Sequence, residues 1–182
     1  MTLRMERATL AYIALGANLG DRIGALRAAV DGLGAHPEIE VMRASPVYET
    51  EAHTLTGDEG QPPYLNAVVE VSTTLSPEAL LAYGHDLERA AGRQRRQRWM
   101  PRTLDIDLLV YGQQRHEAPG LVLPHPHLGQ RRFVLQPWAD LAPNLYVPLP
   151  FDASVAELLH RCPDTDVPTR TAHQFLEPSK PT

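Results

Sequence analysis

The chain has 182 residues, of which 43% are hydrophobic and 21% charged, and its formal net charge is −5. These values are typical of one globular domain and argue against a disordered or membrane-embedded chain. No apolar run reaches the roughly 18 residues that span a bilayer, and residues 1–10 lack the apolar core of a signal peptide. We therefore expect a cytoplasmic protein that contacts no membrane.

The first elements are a strand and a helix. Residues 9–15 predict a buried strand and residues 16–20 the turn that leaves it. Asp21 is a suitable N-cap for a helix that ends near Gly34 and Pro37. A turn rich in glycine can cradle phosphate, but neither glycine motif for phosphate is present. Phosphate binding and plain turn geometry therefore both stay open for this turn.

Two more strands follow, with a long loop between them. Residues 38–48 predict the second strand, in which Pro46 suggests an edge or a bulge. Residues 50–63 are polar, and a loop of this length in a small domain is often a lid or a binding loop. Residues 64–74 predict the third strand.

A second helix and a fourth strand complete the pattern. Ser76 and Pro77 mark the helix start, and Gly92 ends the helix after about Ala91. An arginine-rich loop then leads to a strand over residues 103–111. This order predicts an α+β fold with a ferredoxin-like βαββαβ core, in which two helices pack on a mostly antiparallel sheet.

The remainder of the chain predicts additions to that core. Residues 121–123 form a short extended piece, and helices are expected over residues 131–141 and 153–159. Residues 163–182 are rich in proline and threonine and lack apolar periodicity, which predicts a flexible tail. The expected organisation is a single domain over residues 1–162 followed by a tail over residues 163–182.

The strongest chemical signal is a pair of carboxylates in the fourth strand. Asp105 and Asp107 share one face because strand side chains alternate, and their α-carbons lie about 6.5 Å apart. The apolar run around them indicates a central strand, where two unpaired acids would be costly. A bound divalent cation would compensate the repulsion between the two carboxylates. Mg²⁺ suits this site, because two carboxylates leave its other coordination positions to water and phosphate oxygens. The opposite face is expected to carry Leu104, Ile106, Leu108 and Val110.

The loop before this strand is strongly basic. Residues 89–102 contain six arginines and no acidic residue, within a chain whose overall charge is negative. A focused basic patch of this kind favours a small anion such as a polyphosphate, and a solvated basic loop is the alternative. Trp99 is either a core anchor or a ring that closes over a flat ligand.

Other candidate residues are ambiguous when taken singly. Tyr64 and Asn66 share a strand face and could stack on and hydrogen-bond a heterocycle, or simply pack; Phe133 beside Arg131 is equally open. A zinc site at His125 and His127 is disfavoured because no third ligand lies nearby, and a phosphate contact is preferred. The lone Cys162 excludes an internal disulfide.

The segment RWMPRTLDIDLLVYG resembles the signature of the 6-hydroxymethyl-7,8-dihydropterin pyrophosphokinase family. The resemblance extends over residues 10–143 and includes YIALGANLGD, SPVYETE, PPYLNAVVEV, LERAAGR and LPHPHLGQRRFVLQPWADLAP. Two features depart from the best-known members. The loop between Gly92 and Trp99 is one residue shorter, and Pro126 stands where an aromatic residue is common.

The resemblance implies a transfer of pyrophosphate from ATP to a pterin alcohol in folate biosynthesis. Its implied metal ligands are Asp105 and Asp107, which would bind two Mg²⁺ ions. Arg93 and Arg102 would support the transfer. Thr50, Tyr64, Asn66, Trp99 and Phe133 would bind the pterin, while Glu88, Arg95, Arg98, His125 and Arg131 would hold ATP.

The same residues leave two rival functions. Ferredoxin-like sheets can present aromatic rings to RNA, but the acidic balance and the two strand aspartates count against a nucleic-acid partner. A different nucleotidyl or phosphoryl transferase that uses paired carboxylates is the second alternative. The expected partners are therefore ATP and hydroxymethyldihydropterin, and a monomer is expected.

Overall fold

The computed structural model describes residues 7–52, 61–92 and 103–175. The strands are β1 (Thr9–Ala17), β2 (Ile39–Ala44), β3 (Tyr48–Thr50), β4 (Tyr64–Thr73), β5 (Asp105–Tyr111), β6 (His116–Ala118), β7 (Leu121–Leu123), β8 (Tyr146–Val147), β9 (Ala153–Ser154) and β10 (Thr169–Arg170). The helices are α1 (Arg22–Ala35), α2 (Pro77–Ala90), α3 (Arg132–Leu141) and α4 (Val155–Arg161). None of the described helices has the length and hydropathy that crossing a bilayer requires.

One antiparallel sheet organises the molecule. Its strands run in the order β10, β3, β4, β1, β5, and β2 pairs with β4 beside β3. The four strands of the predicted core are therefore ordered β2, β4, β1, β5, with all pairings antiparallel. This is the ferredoxin-like arrangement, and the fold prediction is confirmed.

Apolar side chains cover both faces of the sheet. On one face, α1 and α2 bury Leu26, Leu33 and Leu80 against alternate residues of β1, β4 and β5. On the other face, α3 and α4 bury a second cluster around Trp138, which is 0% exposed. The C-terminal additions thus supply the second half of the core.

The helix starts and ends follow the predicted signals. The Asp21 side chain accepts from the Gly24 N–H, and the Ser76 side chain accepts from the Ala79 N–H. Gly92 ends α2 with φ +85°, a conformation that glycine adopts without steric cost.

Two strands differ from the sequence-based expectation. The second predicted strand is divided into β2 and β3, because Pro46 has no N–H and the Ser45 hydroxyl instead accepts from the Val68 N–H at 2.9 Å. β5 lies at the end of the sheet order, so the prediction of a central strand was wrong. Its apolar run reflects burial on two faces, which an edge strand also has when helices cover both sides.

A bulge changes the facing of the end of β5. Ile13 pairs with Leu108 whereas Tyr12 pairs with Val110, so β5 has one extra residue, Leu109. Val110 consequently lies in the cluster around Trp138 and not with Ile106 and Leu108 as the alternation predicted.

The segment after α4 also differs. A flexible tail was expected from residue 163, but Thr169 and Arg170 pair with Glu49 and Tyr48 of β3 as strand β10. The expectation does not hold for these residues, because backbone pairing to an open strand edge needs no apolar periodicity.

Candidate active site

The site begins with a row of residues that crosses three strands. Gly16 of β1 pairs with Asn66 of β4 on one side and with Asp105 of β5 on the other. Directly opposed residues project to the same face of a sheet, so Asn66, Gly16 and Asp105 form one row. Asp107 pairs with Ala14 and follows two residues after Asp105, so it lies on the same face.

Gly16 leaves the middle of this row without a side chain. A Cβ built there would lie 3.2 Å from Asn66 Oδ1 and 3.9 Å from Tyr64 Cδ1. Because neighbouring strands are about 4.8 Å apart, Asn66 and Asp105 stand roughly 10 Å apart across a notch floored only by backbone. The chain thus offers a flat recess between an amide and a carboxylate. The local sequence predicts Gly16 only as part of a turn, because the β1–β4–β5 register that reveals its role cannot be obtained from one sequence.

The amide end of the row is held by β3. Thr50 pairs with Tyr64, and the Asn66 Nδ2 group donates to Thr50 Oγ1 at 2.8 Å. Asn66 is 6% exposed, so this bond fixes its orientation with Oδ1 toward Gly16. The three pterin-binding candidates Thr50, Tyr64 and Asn66 are thus brought together by strand pairing.

The carboxylate end of the row is approached by α3. Arg131, which immediately precedes the helix, places Nη1 3.5 Å from Asp107 Oδ2. Its guanidinium carbon also lies 6.0 Å from the centroid of the Phe133 ring. The structure therefore brings Arg131 beside Asp107 and Phe133 beside Arg131.

The donor set at Asp105 and Asp107 suits a hard divalent cation. Both side chains are partly exposed, and their carboxylates lie on one face of a rigid strand. The contact of Asp107 with Arg131 is long and about one third exposed, and such pairs contribute little to stability. In the described part of the chain no group of three or more His, Cys, Asp or Glu side chains is arranged around a metal position. Two carboxylates fit Mg²⁺, which keeps several water or phosphate ligands.

His125 lies at the same end of the site. Its backbone N–H donates to the Leu109 carbonyl at 2.8 Å, and its Nδ1 atom accepts from the His127 N–H at 3.2 Å. Burial, assisted by the positive charge of Arg131, lowers the pKa of His125 to about 4. The ring is therefore neutral at pH 7 with its proton on Nε2, which makes it a hydrogen-bond donor and not a cation.

Glu88, which the resemblance assigns to ATP, lies in α2 and contacts β5. It is 1% exposed in α2, and its Oε1 atom accepts from the Ile106 N–H at 2.8 Å. The carboxylate thus binds the backbone of β5 between the two aspartates.

The remaining candidates lie outside the described residues. These are Arg93, Arg95, Arg98, Trp99 and Arg102.

Known proteins of one family are similar to this chain. A family model described as 7,8-dihydro-6-hydroxymethylpterin-pyrophosphokinase matches residues 12–143. A 2-amino-4-hydroxy-6-hydroxymethyldihydropteridine pyrophosphokinase of Bacillus subtilis is 42% identical over 132 residues, which are 72% of this chain and 77% of the relative. The protein of the same name from Pseudomonas aeruginosa is 41% identical over 152 residues, 84% of this chain and 91% of the relative.

Solved structures show the same fold at low identity. A triple mutant of Plasmodium falciparum HPPK-DHPS superposes with a TM-score of 0.65 and 13% identity, and the match covers 87% of this chain. This chain spans 45% of that longer protein. The family model and these relatives assign the chain to the same family: it belongs to the 7,8-dihydro-6-hydroxymethylpterin pyrophosphokinase family.

Proposed function

We propose that the pyrophosphate transfer of this family takes place over the row Asn66–Gly16–Asp105 and the adjacent Asp107. The reaction moves pyrophosphate from ATP to the hydroxymethyl group of 6-hydroxymethyl-7,8-dihydropterin, releases AMP and belongs to folate biosynthesis. The observation that carries the location is the register that places an amide, a bare glycine and two carboxylates side by side.

The pterin ring is proposed to lie in the recess above Gly16. The ring is flat and polar at its edge, and the recess offers a backbone floor with Asn66 and Thr50 at one end. Tyr64 and Phe133 would contact its faces, since aromatic rings stack well on planar heterocycles. Trp99 would close over the ring.

The triphosphate is proposed to lie at the carboxylate end. Asp105 and Asp107 would hold two Mg²⁺ ions, which when bound neutralise phosphate charge. Arg131 would exchange its weak contact with Asp107 for a phosphate oxygen, and the neutral His125 would donate from Nε2. Arg93, Arg95, Arg98 and Arg102 would complete the basic side of the site.

The protein's contribution to the chemical step is orientation. The recess would aim the pterin hydroxymethyl oxygen in line with the β-phosphorus; a new O–P bond forms there, and the bond to the oxygen bridging the α-phosphate breaks. AMP is the leaving group. We assign no general base, because positioning and electrostatics can carry most of a phosphoryl-type transfer.

The proposal is tested by product identity together with one matched pair of variants. With MgATP and hydroxymethyldihydropterin, mass spectrometry should detect AMP and the pterin pyrophosphate in equal amounts, and a chelator should abolish both. Phe133→Ala should raise the KM for the pterin more than Phe133→Leu, which keeps apolar volume but has no ring face. Equal KM values for the wild type and both variants would remove Phe133 from the pterin site.

A further inference from the structure

The chain after α4 forms a strap across the molecule. We use the name C-terminal strap for residues 164–171, which lie beyond the segment 12–143 that the family model matches. One end of the strap contacts the start of α3, and the other end pairs with β3. Both of those elements carry residues proposed to bind the pterin.

The first end supplies a cap that α3 lacks. Arg131 occupies the N-cap position and makes no capping bond with its side chain. Asp164, which follows 32 residues after Arg132, provides the acceptor instead: its Oδ2 atom accepts from the Arg132 N–H at 3.3 Å. Its backbone carbonyl also accepts from Arg132 Nε at 2.7 Å. The free N–H groups of a helix start need such acceptors, so Asp164 fixes where α3 begins.

The carboxylate of Asp164 is itself held in place. Its Oδ1 atom accepts from the Asp166 N–H at 3.0 Å, which orients Oδ2 toward α3. The helix turn that this cap fixes contains Phe133, and Arg131 immediately precedes it. A small rotation of the turn would therefore move both side chains relative to the aspartates.

The second end closes the outer edge of β3. Thr169 pairs with Glu49 and Arg170 with Tyr48, and the N–H and hydroxyl of Thr171 both donate to the Val47 carbonyl at 2.9 Å. β3 has only three residues, the last of which is Thr50. So short a strand gains much of its order from a partner on each side.

We propose that the C-terminal strap positions the pterin site, with Asp164 as the positioning residue that sets α3 and with β10 as the support for Thr50. The proposal rests on the assignment of Phe133 and Thr50 to the pterin under the proposed function. The strap links these two residues, which are 83 positions apart in the sequence (133 − 50), through a segment that touches neither the pterin nor ATP in that assignment.

The alternative is a strap that only adds stability, and the two are separated by kinetics. Asp164→Ala removes the acceptor for the Arg132 N–H but leaves the backbone carbonyl bond to Nε. Asp164→Asn keeps one side-chain oxygen, which can still accept from the Arg132 N–H but not also from the Asp166 N–H. Asp31→Ala, at an exposed position of α1, is the matched control for loss of a surface carboxylate.

The experiment measures KM for hydroxymethyldihydropterin, kcat and the thermal midpoint for the wild type and the three variants, with Phe133→Ala in parallel. Asp164→Ala should raise this KM by about three- to tenfold, the size that loss of one helix cap permits, with a smaller change in kcat. Asp164→Asn and Asp31→Ala should keep KM near the wild-type value. An unchanged KM in Asp164→Ala, or an equal rise in Asp164→Asn, overturns the strap proposal. If Phe133→Ala also leaves KM unchanged, the proposed pterin site fails; if Phe133→Ala alone raises it, only the strap proposal fails.

Discussion

At the scale of single residues, the site depends on Gly16, which has no side chain. Asn66 and Asp105 lie in the same row only because β1 runs between them, and Gly16 is the β1 residue at that point. Any other residue would fill the recess in which we place the pterin. Gly16 is not at a positive φ, so its importance is spatial and not a matter of backbone conformation.

Gly16→Ala should therefore impair pterin use with little change in stability. The new Cβ would stand 3.2 Å from Asn66 Oδ1 and displace the amide or the ring, and misplacement of about 1 Å can lower kcat/KM by roughly a hundredfold. Steady-state kinetics with varied pterin would measure the change. Gly34→Ala in α1, where the added Cβ meets only Val41 at 3.7 Å, is the control. A wild-type kcat/KM for Gly16→Ala would contradict the proposed recess.

The sequence allowed part of this site to be predicted. The shared face of Asp105 and Asp107 follows from strand alternation alone, and their partial exposure agrees with it. The row across β4, β1 and β5 depends on strand register, which one sequence does not encode locally. Likewise, the contact of Arg131 with Asp107 depends on how the start of α3 packs against β5, which no local sequence pattern predicts.

At the scale of elements, β5 holds its aspartates at the end of the sheet. The buried Glu88 of α2 accepts the Ile106 N–H at 2.8 Å. This bond lies between the two proposed metal ligands in the chain. We therefore propose that Glu88 positions Asp105 and Asp107, and the direct ATP contact that the resemblance implies is the alternative.

Replacing Glu88 distinguishes the two roles. Glu88→Ala would leave the buried Ile106 N–H without an acceptor, which should lower the free energy of unfolding by about 1–3 kcal/mol and reduce kcat. Glu88→Gln keeps an amide oxygen and should retain most of both. Urea unfolding and steady-state kinetics give the two readouts. Under a direct ATP contact, both variants would instead raise the KM for ATP.

Element type was largely predictable, whereas element position was not. The caps at Asp21 and Ser76 and the stop at Gly92 are local signals, and the helices begin and end where they predict. The edge position of β5 was not predicted, because an apolar run indicates burial but not the position of a strand in the strand order of a sheet. The pairing of β10 was missed because backbone hydrogen bonds leave little trace in side-chain pattern.

At the scale of the whole molecule, an ionic network around the buried Glu70 ties the sheet to its second layer of helices. Glu70 of β4 accepts from Arg43 of β2 through Nε at 3.0 Å and Nη2 at 2.6 Å, and it also accepts from the Tyr12 hydroxyl. Arg43 Nη1 donates in turn to the Leu141 carbonyl at the end of α3. Hydrogen bonds from Arg43 lower the pKa of Glu70. Burial of Tyr12, and to a smaller extent its hydrogen bond to Glu70, raises the pKa of Tyr12 to about 12.

This network predicts how stability changes with acid. Because the pKa of Glu70 is lower in the folded chain, the unfolded chain binds more protons once the pH falls near the ordinary value of 4.5. The contribution of the network is thus complete above that pH and is lost as the pH falls through the lowered pKa. Glu70→Gln should be less stable than the wild type at pH 7, and the difference should shrink at pH 3.

Urea titrations of both proteins at the two pH values check this. If the difference in unfolding free energy between the wild type and Glu70→Gln stays constant from pH 7 to pH 3, the charge of Glu70 does not stabilise the fold.

The central claim is that the two strand carboxylates support the transfer, and Asp107→Ala tests it most directly. The measurement is the amount of AMP and of pterin pyrophosphate formed per minute from MgATP and hydroxymethyldihydropterin, with Asp31→Ala as control and circular dichroism to verify folding. We predict a folded Asp107→Ala protein whose formation of both products falls by more than about a hundredfold, since charge stabilisation at the reacting phosphates is lost. A folded variant that forms both products at a near wild-type rate would contradict the claim.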